Sequence, residues 1–395
     1  NLESASLESA SLGHFFYLSK QNPSVQTLFF FFSLPTTKLE HIKLHECYDP
    51  WVKVLQLAYK SNITGGEKVL LQLCDALSSA SHSIHCCCPE RGELTDALEE
   101  RSIEYSVIPF SKTYDLNAAS KIVRLIKEQR IELLHSHGML VNILGRLACR
   151  SIGGFPSIST VHLTRKLSST PRVGGMGSYI KNNFYYRLLD NWSSSFSNRV
   201  VAVSRAVRED LLEQGYPKEK IVVIPNGIDA NTFTKVSEQE RRNHRRELGI
   251  DEGDTLFGTI ARLSPQKDVT CFLEALARQE ESCKAFIAGD GPLREQLMQR
   301  ALALSISHRC HFLGHRRDIA ALLKACDVFV LSSRWEGLPL TILEAMASSL
   351  PVIASAVDGS KEAVIHEETG ILVEAGKVDQ FSKAMALLAA DPKLR

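Results

Sequence analysis

The chain has no long hydrophobic run, no metal-type spacing of its cysteines and no excess of charge of one sign, and each absence removes a class of function. The apolar stretch from Leu28 to Leu34 is far short of the ~20 residues that a membrane-spanning helix needs. No basic segment precedes it and no small-residue cleavage site follows, so it does not read as a signal peptide. Forty-six basic residues stand against 45 acidic ones, a net charge of +1, without the basic excess that phosphate contacts impose on a nucleic-acid binder. None of the ten cysteines falls in a CxxC pair. Cys86, Cys87 and Cys88 lie in a strand-like run (SIHCCCP), where adjacent side chains point to opposite faces and cannot converge on one metal. The expectation is therefore buried free thiols in a reducing compartment, the cytoplasm. Methionine is also missing until Met139. The first 50 residues carry a direct repeat (LESASLESASL) and a run from Phe29 to Phe32. They read as a poorly ordered extension, from a fragment or a frame extended upstream, and are assigned no function.

What is present is a soluble, globular composition, 44% hydrophobic and 23% charged, over 395 residues, about right for two α/β domains. From Trp51 apolar runs alternate with amphipathic helical patterns: VKVLQLAY, SIHCCC, YSVIP, IELLHSH, SISTVH, RVVAVS and IVVIPN. Such alternation predicts a parallel, doubly wound sheet with ligands at the carboxyl ends of the strands. Ser204 reads as the N-cap of a helix to Leu212, and the turn Pro225-Asn226-Gly227 closes this half. The expected division is residues 51–225 and 226–395, each a Rossmann-like domain. In the second, strands are expected at Leu256–Ala261, Lys284–Gly289 and Asp327–Leu331.

The stretch from Ser332 to Ala354, SSRWEGLPLTILEAMASSLPVIA, organises the rest. The buried strand before it and the helical spacing of Leu340, Leu343, Met346 and Ala347 after it make a strand, tight loop and helix. The N–H groups around Gly337, Leu338 and Leu340 then lie at a strand's carboxyl end and a helix's positive end, where a phosphate is favoured. Glu336 and Glu344, eight positions apart, would repel a phosphate unless they face neutral hydroxyls. A phosphate flanked by polyols is a sugar nucleotide, with Glu344 on the ribose and Glu336 on the sugar. Arg262 and Lys267, five apart in a loop after the strand 256–261, can reach one diphosphate from two sides. Ser61 to Gly66 ends in a glycine pair before a helix expected from Glu67, which suits a tight turn or a close backbone approach to a ligand. His135 and His137 end the fourth strand and His162 the fifth; His135 reads as a hydrogen-bonded cap pointing opposite to its neighbours, and His137 as a weaker candidate than His162. Arg165 to Trp192 joins a glycine-containing loop to a helix mixing Tyr179, Phe184, Tyr185, Tyr186 and Trp192 with Lys181 and Arg187. That helix suits either an anionic membrane surface or packing on its own domain, and the loop suits closure over a ligand.

The pattern E-G-L-P-L-x-x-L-E-A-M-A-x-x-x-P-V resembles the signature of retaining glycosyltransferases of family 4, the group 1 enzymes of GT-B fold. The likeness extends over Trp51 to Arg395, through the V-S…P-N-G-I-D passage, Arg262-to-Lys267, Gly289-Asp290-Gly291-Pro292, Val357-to-Glu362 and Thr369-to-Val373. It implies two Rossmann-like domains facing a central cleft, and a hexosyl group moved with retention from a UDP- or GDP-sugar to a glycan or lipid-linked hydroxyl. No metal or cofactor is implied. It places His162 near the donor sugar, Gly65 and Gly66 toward the donor phosphates or the acceptor, and the turn ending at His315 near the nucleobase. Polysaccharide or lipopolysaccharide assembly at the cytoplasmic membrane face is the implied setting. Three residues depart from the family: Ala261, Asp268 and Ser349 stand where glycine is usual, so the loop holding the two cations is expected to be less pliable. The chain stops at Arg395 inside an expected helix, without the family's C-terminal brace. A non-catalytic sugar-nucleotide-binding protein and a sugar-nucleotide epimerase are the alternatives.

Overall fold

In a computed structural model the residues described are 51–110, 115–163 and 186–395. The amino-terminal extension, the glycine loop after Arg165 and Tyr179, Lys181, Phe184 and Tyr185 lie outside them. Two parallel sheets form two domains. The first contains β1 (Lys53–Leu57), β2 (Ser83–Cys88), β3 (Glu104–Val107), β4 (Leu133–His137), β5 (Ser157–Val161), β6 (Arg199–Ala202) and β7 (Ile221–Val223). The second contains β8 (Thr255–Ile260), β9 (Cys283–Ala288), β10 (Cys310–Gly314), β11 (Val328–Leu331), β12 (Val352–Ser355) and β13 (Gly370–Val373).

Their strand orders, β3-β2-β1-β4-β5-β6-β7 and β10-β9-β8-β11-β12-β13, each reverse direction once. The reversals lie between β1 and β4 and between β8 and β11, where the connecting helices leave on opposite faces and open a crevice at the carboxyl edge. The loops after β8 and β11, which carry Arg262–Lys267 and Glu336, and the helix start after β1, at Gly65–Gly66, therefore border the two crevices.

Burial on both faces explains the near-continuous apolar strands. Every residue of β8, β11 and β12 is buried. Alternate residues enter separate cores, with Phe257, Ile287, Val330 and Ile353 on one side of the second sheet and Leu256, Phe286, Phe329 and Val352 on the other. The cysteine triplet obeys the same rule: Cys87 enters one core of the first domain, Cys86 and Cys88 the other. All nine described cysteines are free and buried. Burial pushes the Cys88 thiol up to about 12, so these side chains act as small apolar residues.

Local signals set most helix ends. The Ser204 hydroxyl accepts from Val207 N at 3.1 Å at the head of the helix Arg205–Glu213. Two ends differ from expectation. The helix after the glycine pair begins at Gly65, because Glu67 accepts hydrogen bonds from both the N–H and the hydroxyl of Thr64 and makes Thr64 the cap. The last helix ends at Ala390, and Pro392–Leu394 form a 3-10 turn that the proline cannot join to it.

Glycine substitution by larger residues is visible in the backbone. Ser349 has φ +60° and Asp268 φ +43°, both in the left-handed region that glycine occupies at little cost. At Ser349 the N–H groups of Ser349 and Leu350 reach the carbonyls of Met346 and Ala345, both at 3.0 Å, a Schellman ending. Asp268 is held by Arg334, whose Nε donates to its carboxylate at 2.9 Å. Ala261 adopts no positive φ and carries no such strain.

Candidate active site

Glu336 follows β11 in a loop tied to the loop after β8. Ser332 donates to the carbonyls of Lys267 (3.1 Å) and Asp268 (3.0 Å), Arg334 N donates to Gln266 O (2.8 Å), and Gln266 Nε2 donates to Trp335 O (2.9 Å). This clamp brings the two loops together. Glu336, 3% exposed, accepts from Lys267 Nζ and from Ser333 Oγ at 2.6 Å. Lys267 thus neutralises a buried carboxylate while keeping one edge toward solvent. Arg262, exposed just beyond β8, has no partner among the described residues. The first glutamate and one of the two cations are in direct contact; the second cation is left available.

Glu344 lies in the helix Leu340–Ala347, which Pro339 precedes in extended conformation. In its first turn the Ile342 N–H reaches the Pro339 carbonyl at 3.2 Å, while the N–H groups of Leu340 and Thr341 have no acceptor within the helix. Glu344 is also 3% exposed. One carboxylate oxygen, Oε1, accepts from Lys68 Nζ of the opposite domain at 2.9 Å; the other is buried without a partner. Thr341, one turn earlier on the same helix, has a buried hydroxyl without a partner. Buried polar atoms normally find partners, so these two orphans on one helix are hydrogen-bonding capacity that the described residues leave unused.

Gly337 lies where the domains meet. A Cβ added there would stand 1.8 Å from the His162 carbonyl oxygen, and one added at Gly359 would stand 1.8 Å from the Gly337 oxygen. Only backbone fits between them. Asn226, in the turn that closes the first half, donates from Nδ2 to Leu338 O at 2.9 Å. The Glu362 carboxylate accepts from the N–H groups of Arg205 and Ala206 at 2.9 and 2.7 Å. A side chain of the second domain therefore caps a helix of the first.

His162 borders the same contact. Its Nε2 is shielded and unpartnered among the described residues, and its ring lies 3.6 Å from the place a Gly66 Cβ would take. Burial brings its pKa down to about 4, so at neutral pH it is an uncharged hydrogen-bonding ring. Behind it His137 stacks with ring centroids 5.8 Å away, and His135 lies 4.2 Å from His137. His135 therefore shares the face of His137 rather than pointing opposite, because strand residues two apart lie on one side. It does make the expected hydrogen bond, to Thr160 Oγ1 at 2.7 Å. Burial, then the nearby His162, brings the His135 pKa down to about 3; burial also lowers that of His137, whose Nε2 meets Gln56 Oε1 at 2.9 Å.

The remaining residues fall further out. Gly65 begins its helix with open space at its Cβ position. His315 follows the edge strand β10 and lies 3.6 Å from Glu93 of the first domain, without contact to either glutamate of the signature. A cavity of about 630 Å³ at the carboxyl ends of β1, β2 and β3 is lined by Tyr59, Lys60, Asn62, Glu90, Phe110 and Leu140 among others. Leu188 and Trp192, four residues apart on the helical stretch 186–194, are exposed. Among the described residues no helix is long and apolar enough to cross a membrane.

Sequence reasoning missed Lys68, Ser333, Thr341 and Glu362. One signal for Lys68 was available: a cation close to a helix's N-terminus opposes the macrodipole and needs a compensating partner.

Comparison with known proteins places both halves. Residues 240–395 match the model "Glycosyl transferases group 1" and residues 63–232 match "Glycosyltransferase Family 4". The chain is 30% identical, over 87% of its length and 89% of the relative's, to the UDP-Gal:alpha-D-GlcNAc-diphosphoundecaprenol alpha-1,3-galactosyltransferase of Escherichia coli. It is 29% identical to the N-acetyl-alpha-D-glucosaminyl L-malate synthase of Bacillus anthracis, over 74% of each chain. Among solved structures, Anabaena Alr3699/HepE in complex with UDP and glucose superposes with TM-score 0.76 at 25% identity, covering 87% of this chain and 91% of that one.

Proposed function

Since the chain belongs to glycosyltransferase family 4, the group 1 enzymes of GT-B fold, we propose that it moves a hexosyl group, with retention, from a UDP- or GDP-sugar to a glycan or lipid-linked hydroxyl. The observation that carries this reading is the pairing of two buried glutamates with two cations at the crevice of the second sheet. Glu344 and Thr341 take the ribose hydroxyls, which satisfy their orphan oxygens. Arg262, Lys267 and the N–H groups from Gly337 to Leu340 hold the diphosphate, and they supply the positive charge without a metal ion. Glu336 faces the sugar as a positioning and electrostatic residue. His162, uncharged, hydrogen-bonds a sugar hydroxyl.

In the transfer itself the bond between the anomeric carbon and the phosphate oxygen breaks. The acceptor oxygen bonds to the same face, and its proton passes to the departing phosphate. Closure of the two domains excludes water, so the acceptor rather than solvent captures the sugar. The acceptor enters from the first domain, where the cavity beside Tyr59 and Phe110 suits a sugar ring. UDP as the nucleotide moiety is favoured by the likeness to the Escherichia coli galactosyltransferase, which takes UDP-Gal, and to HepE, solved with UDP and glucose. A place in the cytoplasm, peripheral to the membrane, accords with the exposed Leu188 and Trp192 and with a lipid-linked acceptor.

The test is incubation with UDP- and GDP-sugars and a diphosphoundecaprenol-linked sugar, with the product's anomeric configuration read by NMR. Transfer with retention is expected. Nucleotide binding without turnover would make the chain a binding module, and interconversion of the donor without acceptor would make it an epimerase.

A further inference from the structure

We propose that Lys68 is a positioning residue of the donor site: from the opposite domain it neutralises and orients Glu344, so that ribose recognition is completed only when the cleft closes. The inference rests on the reading of Glu344 as the ribose ligand. Lys68 lies on the helix Gly65–Ser79, and Glu344 lies 276 positions away on the helix Leu340–Ala347. Their contact at 2.9 Å links the two domains.

Three observations carry the argument. The Glu344 side chain is 4% exposed, and a carboxylate so buried needs a counter-charge; Lys68 is the only cation recorded within ion-pair distance of it among the described residues. Lys68 itself is 36% exposed, so it pays little desolvation and its stem can follow the closing motion. The pair also uses only one carboxylate oxygen. Oε1 is taken by Lys68, and Oε2 stays buried and unpartnered, as does the hydroxyl of Thr341 three residues earlier on the same helix.

The division of labour follows from these facts. With Oε1 fixed by the ammonium, the carboxylate cannot turn, and Oε2 points where a neighbouring pair of ribose hydroxyls can donate to it. When the domains part, Lys68 leaves with the first domain, and Glu344 loses both its counter-charge and its fixed orientation. Tight recognition of the ribose and closure are then one equilibrium, each favouring the other to the same extent. Among the described residues Lys267 pairs with Glu336 and makes no ion pair with Glu344.

The experiment measures, by calorimetry, the affinity ratio between UDP and 2′,3′-dideoxy-UDP, with GDP and its dideoxy analogue in parallel. Five proteins are compared: wild type, Lys68→Met, Lys68→Arg, Glu344→Gln and the double variant Lys68→Met/Glu344→Gln. Lys68→Met should reduce the ribose preference at least tenfold, and Lys68→Arg, which keeps the cation, should restore most of it. Donor KM should rise in Lys68→Met by more than kcat falls. The double variant Lys68→Met/Glu344→Gln should be no worse than Glu344→Gln alone, since Lys68 acts through Glu344. A Lys68→Met protein with the wild-type preference, while Glu344→Gln has lost it, overturns the role of Lys68 and leaves that of Glu344 intact. Loss of preference in neither variant overturns both. The double variant, which removes both charges, also guards against a Lys68→Met protein that fails to fold because Glu344 is left buried and unpaired.

Discussion

Replacing Gly337 by alanine probes the closed arrangement at the point where it is tightest. The added Cβ would stand 1.8 Å from the His162 carbonyl oxygen and 3.3 Å from Val203 Cγ2. Carbon and oxygen approach to about 3.3 Å in ordinary contacts, so the two domains must separate by about 1.5 Å. Inside a single core such overpacking costs about 1–3 kcal/mol. Here the strain falls across an interdomain contact and can be relieved by opening, so the melting temperature should change by only a few degrees. Activity should not escape. A displacement of about 1 Å between reacting groups costs on the order of 100-fold in rate, and we expect kcat for transfer to fall by that much. Nucleotide affinity should fall less, because most of its contacts come from the second domain. Steady-state transfer with a lipid-linked acceptor, together with calorimetry of UDP binding, measures both. Wild-type kcat in Gly337→Ala would refute the reasoning, for it would mean that catalysis does not require Gly337 against His162.

Other expectations follow from the same structure. Ser349→Gly should raise stability by about 1 kcal/mol, since Ser349 sits at φ +60°; thermal melting should move up by ~2–4 °C. Acid should destabilise the protein through its buried histidines. His135 and His162 stay neutral in the fold down to about 3 and 4, whereas unfolded histidine takes up a proton near 6.5. As the pH falls from about 6 toward 4 the unfolded chain therefore binds more protons, and each such histidine removes ~1.4 kcal/mol of stability per pH unit; denaturant titrations at pH 7, 6 and 5 would instead give a flat profile if these histidines were already charged in the fold. The nine described cysteines should resist Ellman's reagent in the native protein and react on unfolding, because all are buried.

Much of this site was legible in particular residues. The apolar run before Ser332 and the helical spacing after Gly337 mark a strand, loop and helix, since burial on both faces and helical amphipathicity leave different patterns. Glu336 and Glu344 then fall near a strand's carboxyl end, and strand alternation implies a crevice there. The positive φ at Ser349 and Asp268 was foreshadowed by their standing where glycine is usual. Contacts between distant segments left no such trace. Nothing local pairs Lys68 with Glu344 or Glu362 with the helix at Arg205, because those contacts arise from domain docking. The common face of His135 and His137 was available from strand periodicity and was misread. The onset of the helix at Gly65 was missed because the cap is set by Glu67 reaching back to Thr64.

The account depends most on where a nucleotide sugar sits. A crystal structure with an intact UDP-sugar, or a GDP-sugar if that is the donor, should show the ribose hydroxyls on Glu344, the diphosphate between Arg262, Lys267 and the helix at Leu340, and the sugar beside Glu336 and His162. A nucleotide bound elsewhere, or one whose phosphates lie away from Arg262 and Lys267, would contradict it.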